Sequence, residues 1–121
     1  MTCPRSNGHT GAGAPPIQDF YDAGVRVAIG TDSLASVEDL NLFAEMAEIR
    51  ALGPKIPARA ILDSATRIGA EALGFGEDYG TIEPGKRAAL IVVRVPEGVS
   101  DVEEYLVSGI SPADVQWLDE P

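Results

Sequence analysis

The stretch VRVAIGTDS at residues 25–33 determines how the rest of the chain is interpreted. Val25, Val27 and Ile29 occupy alternate positions, which is the pattern of a β-strand, and the run stops at Gly-Thr-Asp-Ser. A buried strand would therefore deliver Asp32 at its carboxyl end. α/β folds place their chemistry there, because the strand fixes the side chain while the loop beyond it stays open to substrate. Asp32 is the first candidate for a functional residue; alternatively, it closes a turn or caps the next helix.

Composition limits the class of protein. The 121 residues are 45% hydrophobic and 23% charged, which is typical of a globular domain. The net charge of -10 leaves no basic surface for nucleic acid or an anionic membrane, so a small molecule or another protein is the expected partner. No apolar run approaches the roughly 18 residues of a membrane helix, and the first residues lack a signal-peptide pattern. We therefore expect a cytoplasmic protein. The single cysteine, Cys3, cannot form an internal disulfide, which is compatible with a reducing compartment.

The glycine-rich sequence GHTGAGAPP at residues 8–16 predicts a loop. It resembles a phosphate-binding loop in its glycines alone, because neither a Gly-Lys-Ser/Thr ending nor a preceding strand accompanies them. We therefore interpret it as a connecting or active-site loop that allows close approach of the backbone. Its two prolines favour the start of a helix at residues 17–23, which Gly24 would end.

A longer helix is predicted to follow the strand. Ser36 and Asp39 have the spacing of a capping box, which favours a helix over residues 37–52. The acidic residues of this helix, Glu45 and Glu48 among them, are assigned to a solvated face, because no histidine accompanies them as a second kind of metal ligand. The apolar stripe expected to face the core consists of Leu40, Phe43, Ala44, Ala47 and Leu52.

The remaining sequence predicts one more helix and then a small β layer. The helix is expected at residues 57–73 and ends before Gly74. These later strands do not alternate with long helices, so a boundary is predicted between residues 1–74 and residues 75–121. The expected elements of the second part are a strand and type II turn within residues 80–86, a strand buried on both faces at residues 88–95, a short helix capped by Ser100 and Glu103, and a strand at residues 115–118.

Five segments together resemble the amidohydrolase superfamily, and within it the branch of cytosine deaminases, chlorohydrolases and aminofutalosine deaminases. The resemblance implies an α/β fold: the C-terminal fragment of a (β/α)8 TIM barrel plus part of the flanking composite β-sandwich. Residues 1–74 would supply the last barrel units and residues 75–121 the C-terminal part of the sandwich. The segments are CPRSN at residues 3–7, GAGAPP at 11–16, AGVRVAIGTDSLAS at 23–36, SATRIGAEALG at 64–74 and GTIEPGKRAALIVV at 80–93.

The same resemblance implies a chemistry. Asp32 matches the aspartate of the eighth barrel strand, which would hold a divalent metal, zinc or iron, and accept a proton from the attacking water. Asn7 and Ser33 would contact the substrate, and Ser36 would help to orient the loop. The implied activity is hydrolysis or deamination of a C–N bond in a small aminopurine-like or pyrimidine-like molecule by a metal-activated water.

Two departures from the family pattern bear on that activity. The family's His-x-His pair is missing, and His9 is the one histidine, expected to be a loop or substrate-facing residue. One imidazole and one carboxylate cannot supply the three protein ligands of a catalytic zinc site, so the isolated chain is expected to lose the metal and to be inactive. Ala89 replaces a usual acidic residue, with an expected effect on surface hydrogen bonding alone.

The first six or so barrel strands have no counterpart in the sequence, so a closed barrel is not expected from this chain alone. We expect a truncated gene product, an environmental fragment or one half of a split enzyme, which requires the N-terminal half or a partner chain. Two other classes of function stay open. The chain could be a non-catalytic subunit that completes the barrel of a partner, or a binding module that uses its glycine-rich loop for a small ligand.

Overall fold

Short helices make up most of the regular structure in the computed structural model, which describes residues 1–118. Strands β1 (Ile91–Val93) and β2 (Val115–Trp117) pair antiparallel, with Val92 opposite Gln116. Among residues 1–118 there is no helix with the length and apolar character needed to cross a membrane. The helices are α1 (Pro4–His9), α2 (Ile17–Asp22), α3 (Leu42–Leu52), α4 (Ala58–Ala65), α5 (Arg67–Ala72) and α6 (Val102–Leu106), and a 3-10 turn (Pro112–Asp114) precedes β2.

The segment predicted as the central strand is extended, and among residues 1–118 it pairs through one parallel bridge, between Ile29 and Thr2. The Thr2 N–H donates to the Ala28 carbonyl and the Gly30 N–H donates to the Thr2 carbonyl, both at 2.9 Å. Residues 27–29 are buried, as predicted for a strand that leads to a functional loop. The prediction is wrong at Val25, which is 52% exposed because the pairing begins only at Ala28.

The glycine-rich loop begins later than predicted, because its first two residues belong to α1. Pro4 occupies the first turn of this helix, where its missing N–H has no intrahelical partner to lose. The Thr10 N–H closes the helix on the Ser6 carbonyl at 2.9 Å. The loop then starts at Gly11, whose φ of 76° lies in the left-handed region. As predicted, a helix follows the two prolines: α2.

The start of the next helix, α3, differs from the prediction. It begins at Leu42 instead of residue 37, because the side chain of Asn41 accepts hydrogen bonds from the Phe43 and Ala44 N–H groups and caps it. Ser36, the predicted cap, makes tertiary hydrogen bonds instead.

The predicted apolar stripe of this helix is confirmed in part, because Phe43 and Leu52 pack half-buried against the core. Leu40 precedes α3 and is exposed, and the residues that α3 buries fully are Glu45, Met46 and Ile49. The assignment of Glu45 to the solvated face is therefore wrong.

The helix predicted at residues 57–73 is interrupted at Thr66, where φ is -119° and ψ is -92°. The Thr66 hydroxyl donates to the Leu62 carbonyl at 2.8 Å, so the side chain competes with the backbone at the break. Gly74, with φ of 81°, ends the second piece as predicted.

One hydrophobic core joins α2, α3, α4, α6 and the extended segment. Residues with almost no exposed surface dominate it, and α3 and α4 pack against each other within it. Its buried members are Ile17, Ile29, Met46, Ile49, Ile56, Ile61 and Val107.

The predicted turn at Pro84-Gly85 forms, while the strand predicted beside it does not. The Lys86 N–H donates to the Glu83 carbonyl at 3.2 Å, and Gly85 has the positive φ, 91°, that a type II turn requires. Lys86 also donates from Nζ to the Gly76 carbonyl at 2.7 Å, which ties the turn to the end of the preceding segment.

The strand predicted to be buried on both faces is shorter and more exposed than expected. It is reduced to β1, and both Ile91 and Val92 are exposed, because the two-stranded sheet has no covering layer among residues 1–118. Asp101 caps α6, in place of Ser100, by accepting from the Glu104 N–H at 3.0 Å. The last predicted strand is confirmed as β2. The predicted second part, residues 75–121, ends with residues 119–121, which lie outside the described range.

Candidate active site

Asp32 lies directly beyond the buried extended segment, with its side chain exposed. Its φ of 64° is in the left-handed region, which side chains other than glycine seldom adopt and which Asp tolerates better than most. Ser6 Oγ donates to Asp32 Oδ2 at 2.8 Å, while none of the residues in the described range 1–118 donates to Oδ1. The carboxylate is thus anchored through one oxygen and open at the other.

Two serine hydroxyls lie behind this carboxylate. Ser6 is 2% exposed and Ser36 is 7% exposed, and their Oγ atoms are 2.8 Å apart. Ser36 Oγ is also 3.2 Å from the Ser33 carbonyl oxygen. The arrangement links α1, the loop after Asp32 and the carboxylate itself.

Arg5 fixes the position of α1. Both terminal nitrogens of its guanidinium donate to Asp39 Oδ1 at 2.8 Å, and its main-chain N–H donates to Glu45 Oε2 at 3.1 Å. Sequence reasoning missed both Arg5 and Glu45. A signal was present in the sequence, because Glu45 stands next to Met46 and four residues before Ile49, on the face that α3 buries.

Glu45 is an acid in an unfavourable environment, with 0% of its surface exposed. Burial raises the pKa of the Glu45 carboxyl above its ordinary value of 4.5, while the hydrogen bond and charge of Arg5 oppose this rise without cancelling it. Oε1 has no hydrogen-bond donor among residues 1–118, and Arg5 Nε lies 3.8 Å from it. Ionised Glu45 therefore costs stability at neutral pH.

We expect the variant Glu45→Gln to gain stability relative to the parent as the pH rises from 4.5 to neutrality. The folded parent binds the Glu45 proton more tightly than the unfolded chain, so this contribution is full below 4.5 and is lost as the pH rises through the folded pKa. Urea unfolding at a series of pH values measures it, with exposed Glu97→Gln as the control. Equal pH dependence in parent and Glu45→Gln would contradict the assignment.

The other predicted site residues lie near Asp32 and make no hydrogen bond to it among residues 1–118. Asn7 is half-buried on α1, next to Ser6, and the exposed Ser33 accepts from the Ala35 N–H at 3.3 Å. Within residues 1–118, neither Asn7 nor Ser33 hydrogen-bonds to Asp32. An open cavity of about 180 Å³ lies beside the serine pair, lined by Arg5, His9, Ser36, Val37 and Glu38.

The side chains around Asp32 supply few of the ligands that a metal ion needs. Residues 1–118 contain no group of three or more His, Cys, Asp or Glu side chains that could hold one. Burial raises the pKa of the neighbouring Cys3 thiol, which disfavours the thiolate that a metal needs, although a hydrogen bond from the Asp32 main chain lowers it in part. Asp32, anchored and exposed, fits a metal as a single oxygen ligand of a larger set.

Known proteins are similar to this chain in sequence and in fold. The model of the family described as "Amidohydrolase family" matches residues 1–112. The 5-methylthioadenosine/S-adenosylhomocysteine deaminase of Moorella thermoacetica is 40% identical in an alignment that covers 96% of this chain and 30% of that protein. The enzyme of the same name from Halobacterium salinarum is 45% identical over 98 residues, covering 75% of this chain and 22% of that protein.

A solved structure extends the similarity to three dimensions. The adenosine deaminase from Xanthomonas campestris with bound zinc superposes with a TM-score of 0.84 at 34% identity, over 93% of this chain and 28% of that one. The chain therefore spans less than a third of the length of these relatives. All three are named as deaminases, so they give no support to a non-catalytic subunit or a binding module.

Proposed function

We propose, from the premise that this chain belongs to the amidohydrolase family, that it forms the C-terminal part of an enzyme that deaminates a small substrate. Residues 1–74 would complete a (β/α)8 barrel, and residues 75–121 would contribute to a flanking β-sandwich. The observation that carries the proposal is the placement of Asp32, whose carboxylate is anchored at Oδ2 and open at Oδ1 directly beyond a buried extended segment.

Asp32 has two tasks in this proposal. Its carboxylate would be one ligand of a divalent metal, zinc by analogy with the similar adenosine deaminase, together with ligands that residues 1–118 do not supply. When bound, such a metal lowers the pKa of water toward neutrality and so makes a nucleophile available. Oδ1 of Asp32 would accept one proton from the attacking water as its oxygen bonds to the ring carbon. The C–N bond would then break, and the amine would take up that proton and leave as ammonia.

The substrate class follows from the relatives. Both curated relatives are named for thioether derivatives of adenosine, so we propose an adenine nucleoside with a substituent at the 5′ position, deaminated at its exocyclic amine. This favours the aminopurine-like substrate over a pyrimidine. Asn7, beside Ser6 on α1, and Ser33, next to Asp32, would contact the substrate at the rim of the site.

The complete polypeptide or complex that carries this chain, loaded with zinc, is expected to release ammonia from 5′-methylthioadenosine and S-adenosylhomocysteine, and to release little from cytosine. Removing the metal with a chelator should abolish the release, and adding zinc back should restore it. An ammonia assay with a matched loss of adenine absorbance measures both. If the zinc-loaded protein released ammonia from neither nucleoside, the proposed function would be wrong.

A further inference from the structure

We propose that Ser6 and Ser36 form a positioning pair that holds the Asp32 carboxylate in one orientation, with Oδ2 anchored and Oδ1 presented outward. This inference rests on the proposed function only in taking Asp32 as a metal ligand. The two serines themselves do not touch the substrate in this proposal; they act through Asp32.

The number of hydroxyl protons sets the direction of the hydrogen bonds. An ionised carboxylate can only accept hydrogen bonds, so Ser6 donates its single hydroxyl proton to Asp32 Oδ2, at 2.8 Å. Ser6 Oγ also lies 2.8 Å from a second acceptor, Ser36 Oγ, while Ser36 Oγ donates to the Ser33 carbonyl at 3.2 Å. An ionised carboxylate is a stronger acceptor than a hydroxyl, so the single proton of Ser6 favours Asp32. Ser36 fixes the position of the Ser6 hydroxyl from the other side.

Burial makes the contacts of Ser6 and Ser36 persistent. Both serines are at least nine-tenths buried, so water cannot readily replace either partner, and an unmade hydrogen bond here would leave a buried polar atom without a partner. Ser6 is also held independently of Asp32, because its neighbour Arg5 ties α1 to Asp39 and Glu45. Ser6, which contacts Asp32 directly, is thus carried by a fixed helix, while Ser36 supports it from the loop that follows Asp32.

The backbone of Asp32 has an unfavourable conformation that the hydrogen bond from Ser6 helps to maintain. A left-handed φ of 64° is unfavourable for a side chain with a Cβ atom and persists only where surrounding contacts enforce it. The hydrogen bond from Ser6 is such a contact, since it fixes the side chain of Asp32 against α1. Without it, we expect the carboxylate to sample other rotamers and the loop to sample other backbone conformations.

The test measures zinc affinity of the complete zinc-binding protein by competition with a chromogenic chelator, independently of any activity. Ser6→Ala is expected to weaken zinc binding by about 10- to 100-fold, the usual effect of losing a hydrogen bond to a metal ligand. Ser36→Ala should weaken it less, because Ser6 keeps its bond to Asp32. Asp32→Asn reports whether Asp32 is a ligand at all.

Ser64→Ala is the matched control. Ser64 is also a fully buried serine in a hydroxyl pair, with Tyr21 at 2.6 Å, but this pair does not involve Asp32. Its variant should keep the zinc affinity of the parent, and equal losses in Ser64→Ala and Ser6→Ala would overturn the inference. Unchanged affinity in Ser6→Ala with a loss in Asp32→Asn would also overturn it and leave the proposed function intact. Unchanged affinity in Asp32→Asn would overturn the metal role of Asp32 and the inference with it.

Discussion

Asp32→Asn is expected to lower kcat/KM for nucleoside deamination by about 10²- to 10⁴-fold, the range associated with loss of a general base. Asn tolerates the left-handed backbone of this position nearly as well as Asp, and its amide oxygen can still accept the hydrogen bond from Ser6. The variant therefore keeps the shape of the loop while losing the oxygen that takes up a proton. Steady-state kinetics at saturating zinc measure the effect.

A second carboxylate serves as the control for the change of charge. Asp22 is exposed at the end of α2 and hydrogen-bonds to Gln18, so Asp22→Asn should leave kcat/KM within about twofold of the parent, as expected for a surface substitution. If Asp32→Asn retained the activity of Asp22→Asn, the assignment of Asp32 as the proton acceptor would be wrong.

Ile61→Ala is expected to lower the free energy of unfolding by about 2–5 kcal/mol, the range for large-to-small substitutions in a packed core. Ile61 is 0% exposed on α4 and belongs to the core that joins α3 and α6. Truncation would remove buried apolar surface and leave a cavity among Ile49, Val107 and their neighbours. Urea unfolding of the protein that carries the chain measures the change.

The corresponding surface variant is Ile82→Ala. Ile82 is 85% exposed, so its truncation should change the free energy of unfolding by no more than about 0.5 kcal/mol. Similar losses in the two variants would show that α4 does not pack in the core as the structure has it.

Local features of the fold could be predicted from the sequence. The left-handed glycines that end α2 and α5, and the Pro-Gly turn before β1, depend on the backbone preferences of a few adjacent residues. The extended segment before Asp32 was predictable for the same reason, since β-branched residues occupy alternate positions along it. These predictions needed no knowledge of distant contacts.

The start of α3 shows where such reasoning fails. Ser36 and Asn41 are both good helix caps, and their local sequences do not decide between them. What decides is that the Ser36 hydroxyl meets Ser6, a residue 30 positions away, and is therefore engaged in tertiary structure. The burial of Glu45 was missed for a similar reason, because its partner Arg5 lies 40 positions earlier.

The sequence was enough to predict the acidic residue of the candidate site, Asp32, but not the serine that anchors it, Ser6. Asp32 stands out because a strand pattern leads to it, whereas Ser6 is one polar residue within CPRSN and carries no periodic signal. Its importance arises from the single distance that joins it to Asp32 across 26 positions. Hydrogen bonds of this kind are a property of the folded chain and become visible only with the structure.

The parallel bridge between Thr2 and the extended segment also bears on the order of folding. The contacts that build the site close loops of 26 to 40 residues, whereas α4 and α5 are neighbours along the chain. Closing long loops costs chain entropy that only later contacts repay, so local helix pairs form first. We therefore expect the amide of Gly30 to gain protection from hydrogen exchange after the amides of α4. The candidate active site would then be among the last parts of the chain to become ordered.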